Sequence, residues 1–342
     1  MKRTLATLVI ALAACKHGPC HEDRGVPVTP RSEPRDSAPK ALTVDEVEAA
    51  VFAAGPRATF QPTSSSEHEA IARLVPALLE AAWSSTPPRS PAKWQAAAAA
   101  VGFRIEAWTI DGERYWALLE APGRERGAGA YIFRVAPRSE PTILLQAPHS
   151  YHDIGTGRLA VDLFFASRRG TRPRALFTNT IHRYQLAPGD KQKRRHNPSD
   201  VAHNPEHAFT VATDAFTIAA GRTRVIQLHG FGARIDEDDG DGDPGSIAMV
   251  VSAGDKAGSS ALSSAIAAAA TKAFGTDVKR YPEDVAVLGA TTNAQARLLA
   301  KTRRGELVHV EMSSDLRKRL AASEQLREQL AAVLFDTNPE TP

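Results

Sequence analysis

Two histidines in this chain stand in the same setting. Ile143-Leu144-Leu145-Gln146 runs into Ala147-Pro148-His149, and Val225-Ile226-Gln227-Leu228 runs into His229-Gly230. Each is an apolar run of strand length that stops at a histidine beside Pro or Gly, residues that punctuate strands. Asp153 follows His149 by four residues, with His152 between. Two imidazoles and a carboxylate are what a catalytic zinc takes, leaving a fourth position for water. One histidine alone would read as a hydrogen-bonded loop residue; the repeated strand-end setting and the adjacent acid argue for a metal. Seven of the eleven histidines fall between 149 and 229, so that stretch is where chemistry concentrates.

Such residues meet only if the strand ends open on one edge of a sheet. Strands are expected at 175–178, 224–228, 248–252, 285–288 and 307–311, with helices at about 156–169, 206–220, 260–274, 293–302 and 314–335. This alternation implies a three-layer α/β/α fold with a mixed, mostly parallel sheet and sites beyond the carboxyl ends of strands. A small helical segment, 41–102, precedes the α/β domain, 103–338. Thr43-Val44-Asp45-Glu46 is a capping box for its first helix. Ser65 or Ser66 opens a second, in which Ile71, Leu74, Val75, Leu78 and Leu79 recur at helical spacing, and Trp94–Val101 is a third. Asp111-Gly112 marks a hairpin between strands 103–110 and 114–120, followed by strands 130–135 and 143–146.

Charge excludes one class of function. Lys and Arg outnumber Asp and Glu by 3 in 342 residues, and losing Lys2 and Arg3 with the leader leaves +1. A protein that works by neutralising many phosphates needs more. The basic runs Arg168-Arg169 to Arg174 and Lys191 to Arg195 carry no interleaved aromatic platform, so they read as solvated loops. Asp236 to Asp243 does not complete the D-x-D-x-D-G pattern of a calcium loop, since Pro244 follows Asp243, and reads as an exposed loop. The chain holds no P-loop, G-x-S-x-G or C-x-x-C motif.

Met1-Lys2-Arg3 precedes an apolar run, Leu5 to Ala14, that is too short to span a bilayer and ends Leu12-Ala13-Ala14-Cys15. This resembles a bacterial lipobox. It implies removal of residues 1–14, a lipid on Cys15 and a domain held at the cell envelope, facing the periplasm or the exterior. Residues 15–40 are rich in Pro and charge and poor in apolar side chains, as in a disordered tether. A flexible chain of that length reaches roughly 25–30 Å.

Pro148-His149-Ser150-Tyr151-His152-Asp153, Leu228-His229-Gly230 and Val308-His309-Val310-Glu311 together resemble the zinc carboxypeptidase superfamily, in its N-formylglutamate amidohydrolase-like branch. The likeness covers roughly residues 140–320. It implies a zinc held by His149, an acid and His229, with Glu311 as the base that takes a proton from water and hands it to the leaving amine. The family's acid usually stands three residues after the histidine. Here that position is His152 and the acid, Asp153, is one further, so Asp153 is the expected ligand and His152 the alternative. The family also holds a substrate carboxylate with an Asn-Arg pair. His182 replaces the Asn, so Arg183 alone is carried over, and Arg317 is a second candidate. His182, Asp200, His203 and His207 lie in or beside the long 184–206 connection, from which His182 and His203 are expected at the substrate.

The expectation is a lipid-anchored zinc hydrolase that cuts an amide or peptide bond next to a carboxylate. Its substrate would be a small peptide or an acyl-amino acid, with no nucleic-acid partner and no membrane contact beyond the lipid. The alternative is a tethered ligand-binding protein on the same fold, without catalysis.

Overall fold

Ten strands form one continuous sheet in the computed structural model, which describes residues 38–339 apart from 54, 56–58, 85–90, 167–169, 192–196, 233–245 and 276. The leader with Cys15, most of the tether, the acidic run 236–243, Arg168-Arg169 and residues 192–195 lie outside the described residues. The rest of the first basic run is not the solvated loop expected: Arg174 is buried and donates to the Ala136 and Pro137 carbonyls at 3.0 and 2.6 Å, and Arg172 pairs with Glu113. In chain order the elements are β1 (Lys40–Ala41), α1 (Val44–Val51), α2 (Ser65–Trp83), α3 (Gln95–Ala100), β2 (Phe103–Ile110), β3 (Glu113–Glu120), β4 (Ala130–Val135), β5 (Thr142–Ala147), α4 (Thr156–Ala166) and β6 (Ala175–Thr178). They continue with α5 (Ala208–Ala220), β7 (Thr223–Phe231), β8 (Met249–Ser252), α6 (Ala261–Phe274), β9 (Val278–Tyr281), α7 (Ala294–Thr302), β10 (Gly305–Ser313), α8 (Ser314–Ala322) and α9 (Glu324–Ala331).

The strand order is β1-β2-β3-β4-β6-β5-β7-β10-β8-β9. The central run β6-β5-β7-β10 is parallel, whereas β2-β3-β4-β6 and β10-β8 pair antiparallel. The fold is therefore α/β with a mixed sheet. The hairpin at Asp111-Gly112 is part of that sheet, joined to it through β4.

Side chains alternate between the two faces, as strand geometry requires. Ile143, Leu145, Ile226, Leu228, Val308, Val310 and Met312 pack under α1, α4, α6, α8 and α9. Leu144, Val225 and Leu307 face α2, α3, α5 and α7 on the other side. Each strand that carries a candidate site residue thus has apolar partners on both faces. On the second face, toward the carboxyl ends, the apolar residues give way to Gln146, Gln227, His229, His309 and Glu311, all buried. Among the described residues no helix is long and apolar enough to cross a membrane.

Two expected elements differ. Val285–Leu288 is not a strand; the edge strand is β9, which stops before Pro282 because proline has no N–H for the ladder. Asp284 folds back to accept from the Arg280 backbone N–H at 2.8 Å, and Leu288 and Ala290 take positive φ, so this stretch turns. The last helix, expected unbroken over 314–335, is interrupted at Ser323. That residue is extended, and its hydroxyl accepts from Leu326 N to cap α9.

Candidate metal centre

The register of the parallel strands sets the site. His229 lies directly across from Glu311, and Gln227 from both His309 and Gln146. His149 follows β5 at the same edge. After it the backbone makes one helical turn: His152 N and Asp153 N both donate to His149 O at 2.8 Å. An i, i+4 pair shares a face of such a turn. Asp153 is thereby brought back over His149, and His152 is turned away, its ring against His182 and Tyr184.

Asp153 Oδ2 lies 3.6 Å from His149 Nδ1 and 3.2 Å from His229 Nδ1, and it accepts from Gly230 N at 3.2 Å. All three side chains are buried. Donor atoms at the corners of a tetrahedral zinc site stand about 3.3 Å apart, from bond lengths of about 2.0–2.1 Å. These spacings bracket that value. His149 Nδ1 is buried without a hydrogen-bond partner, an orphaned polar atom that a bound cation would satisfy. Burial works against the Asp153 charge, yet the imidazoles of His149 and His229 hold its carboxyl below the usual carboxylate range. Burial depresses His229 to about 4, so it is neutral at physiological pH. A neutral imidazole beside an ionised carboxylate is a metal-ligand pair in its binding form.

The other nitrogen of His149 is fixed from behind. Nε2 is 2.8 Å from Asp200 Oδ1, while Asp200 Oδ2 accepts from Arg183 Nη2 at 2.7 Å and Nε at 3.0 Å. Burial opposes the Asp200 charge, but His149, His203 and Arg183 outweigh it and hold the group well below its ordinary range. A carboxylate behind a histidine is the usual orienting partner of a metal-bound imidazole.

On β10, Glu311 Oε1 is 4.0 Å from His229 Nδ1 and 3.5 Å from His309 Nε2. His309 is buried beside the His229 ring, and burial keeps it well below the ordinary histidine range. His229, His309 and Glu311 form a further group whose donor atoms converge, as do His149, Asp200 and His203. His149, Asp153, His203, His229, His309 and Glu311 line a cleft of 710 Å³.

The expected site residues sort as follows. His149, Asp153 and His229 converge, with Glu311 next to them, although β7 and β10 are separated from β5 by long stretches of chain. Arg183, His203 and His152 line the cleft. Two of the Arg183 nitrogens are bonded to Asp200. His182 does not line the cleft; its ring packs against His152, and its Nδ1 accepts from Tyr184 N at 3.2 Å. Arg317 also lines the cleft; its Nε donates to Ile154 O at 2.9 Å and its Nη1 to Phe231 O at 3.2 Å.

Sequence reasoning missed the role of Asp200 behind His149, and it gave none to His309, Gln146, Gln227 or Asn293. The signal was present for the glutamines: a single amide inside each apolar strand, three and two residues before the histidine.

No family model matches the chain, and no curated protein matches it. Similar solved structures include a gene product of Agrobacterium tumefaciens, at 16% identity, 57% of this chain, 91% of that chain and a TM-score of 0.34. N-formylglutamate amidohydrolase from Ralstonia eutropha has 15%, 56%, 90% and 0.34. An aminopeptidase of Legionella pneumophila has 10%, 85%, 71% and 0.36. At these values the reading of the site rests on its own geometry.

Proposed function

We propose that this protein is a zinc-dependent hydrolase of an amide or peptide bond next to a carboxylate, lipid-anchored at the cell envelope through Cys15. The observation that carries the reading is the Asp153 carboxylate set 3.6 and 3.2 Å from two buried imidazole nitrogens, one of them without a partner. His149 Nδ1, Asp153 Oδ2 and His229 Nδ1 would hold the ion. When bound, zinc supplies a Lewis acid for the scissile carbonyl and lowers the pKa of the attacking water.

The chain's own residues do the rest. Asp200 and Arg183 hold His149 from behind, and Gly230 N holds Asp153. Glu311, buried at the cleft floor, takes a proton from the attacking water and passes it to the amine as the C–N bond breaks. Arg183 and Arg317 are the arginines on the cleft wall, where a substrate carboxylate would find a partner. Phe231, Tyr281 and Leu288 give the cleft an apolar side, and exposed Ile154 stands at its rim. These features suit a small peptide or acyl-amino acid.

Metal analysis of the purified protein, paired with hydrolysis assays on N-acyl amino acids and short peptides, tests the reading. About one zinc per chain and a turnover abolished by chelator and restored by zinc are expected. Zinc bound with no amide substrate cut would instead make this a ligand-binding protein on the same fold.

A further inference from the structure

We infer that Gln227 and Asn293 fix the tautomer of His229, leaving Nδ1 as its bare nitrogen toward Asp153. His229 Nε2 is 2.9 Å from Gln227 Oε1, and Asn293 Nδ2 donates to the same oxygen at 2.6 Å. Gln227 Nε2 donates to Gln146 Oε1 at 2.9 Å and to Gln295 Oε1 at 3.1 Å. All four amides are buried, and the Gln227 amide has each of its hydrogen-bonding positions filled.

The orientation of every amide is forced by groups that cannot reverse. Asn293 caps α7, its Oδ1 accepting from the Ala296 backbone N–H at 2.9 Å. A backbone N–H only donates, so Nδ2 is the end that meets Gln227. Gln295 Nε2 donates to the Val201 carbonyl at 2.9 Å, which leaves Oε1 for Gln227. Thr213 gives its hydroxyl proton to Phe209 O at 2.8 Å, so it accepts from Gln146 Nε2, again leaving an oxygen for Gln227. Three independent anchors therefore aim the Gln227 carbonyl at His229. With an acceptor at Nε2, that nitrogen must carry the proton. A neutral ring then has its lone pair at Nδ1, the atom 3.2 Å from Asp153 Oδ2.

Gln227 and Asn293 are thus positioning residues. A tautomer set in advance leaves no proton to relocate when a cation arrives. The inference rests on the zinc reading only for its effect on affinity; the tautomer stands without it.

Long-range ¹H–¹⁵N spectra of the metal-free protein near neutral pH read the tautomer directly, with the His229 signals identified by their loss in His229→Gln. A protonated Nε2 and a bare Nδ1 are expected. A protonated Nδ1 in the parent protein overturns the inference, whatever any variant does. Gln227→Leu removes the acceptor with an apolar side chain of similar size, and both tautomers should appear. Zinc affinity in Gln227→Leu should fall by about 10–100-fold, the usual effect of removing such a partner. Mixed tautomers with unchanged zinc affinity would uphold the lock and remove His229 from the zinc ligands.

Discussion

At the scale of single residues, Glu311 is where enzyme and binding protein part. Its carboxylate is buried on the cleft floor, 4.0 Å from His229 Nδ1, and the parallel pairing of β7 with β10 fixes it there. Glu311→Gln keeps the shape and removes the basicity. The variant should bind zinc like the parent, because Glu311 is not among His149, Asp153 and His229. Turnover should fall by about 10²-fold or more, the scale of a lost general base. Zinc content lost together with activity would point instead to the group His229, His309 and Glu311 as the ligands. Turnover equal to the parent's would move the base elsewhere.

At the scale of elements, α8 and the strand ends are tied by one side chain. Arg317 reaches across Gly230 to carbonyls at Ile154, Phe231 and Met312, joining the loop after β5 to the ends of β7 and β10. A Cβ on Gly230 would lie 2.0 Å from Arg317 Nη1 and 2.4 Å from Cζ. Gly230→Ala should therefore displace the guanidinium and destabilise the fold by about 1–3 kcal/mol, as overpacking does. Once Arg317→Ala has emptied the space, the same Cβ should do less harm. Urea denaturation of the two single variants and the double variant checks this; strictly additive losses would mean that the two residues are not coupled.

The cap of α5 sets a pH dependence. His207 Nδ1 accepts from Phe209 N at 3.0 Å, and burial lowers the ring's pKa to about 4 from its ordinary 6.5. As pH falls below 6.5 the unfolded chain takes up this proton, while the folded chain resists until about 4. Stability from this group is thus complete above 6.5 and declines across that window, by on the order of 3 kcal/mol. His207→Asn retains a capping oxygen and does not titrate. Its stability should decline less than the parent's between those limits. Parallel profiles would assign the acid sensitivity to other groups.

At the scale of the whole molecule, the proposed tether predicts where the domain is found. Cys15 lies about 25 residues before β1, and a flexible chain of that length would hold the domain roughly 25–30 Å from its lipid. Cys15→Ser should move the protein from the membrane fraction to the soluble envelope fraction without changing hydrolysis of small substrates. Equal fractionation of variant and parent would exclude the anchor.

What the sequence determined by itself was local. The apolar runs that became β5, β7 and β10, the capping box at Thr43 and the Asp111-Gly112 hairpin all follow from patterns spanning a few residues. Two strand-end histidines could be recognised for the same reason, since neighbouring parallel strands end on one edge. Tertiary structure decided the rest. Whether Asp153 or His152 meets His149 depended on the single helical turn after Pro148, and one residue of spacing reverses that answer. The partner of His149, Asp200, comes from a connection with no periodicity to read. The strand expected at 285–288 gave way to a turn because Asp284 found the Arg280 backbone, a local bond that apolar content does not encode. The direction in which the Gln227 amide points follows from Asn293, Gln295 and Thr213, which lie far from it in the chain. Hydrogen-bond direction is set by which partners are buried together, and only the packed sheet and helices bring them together.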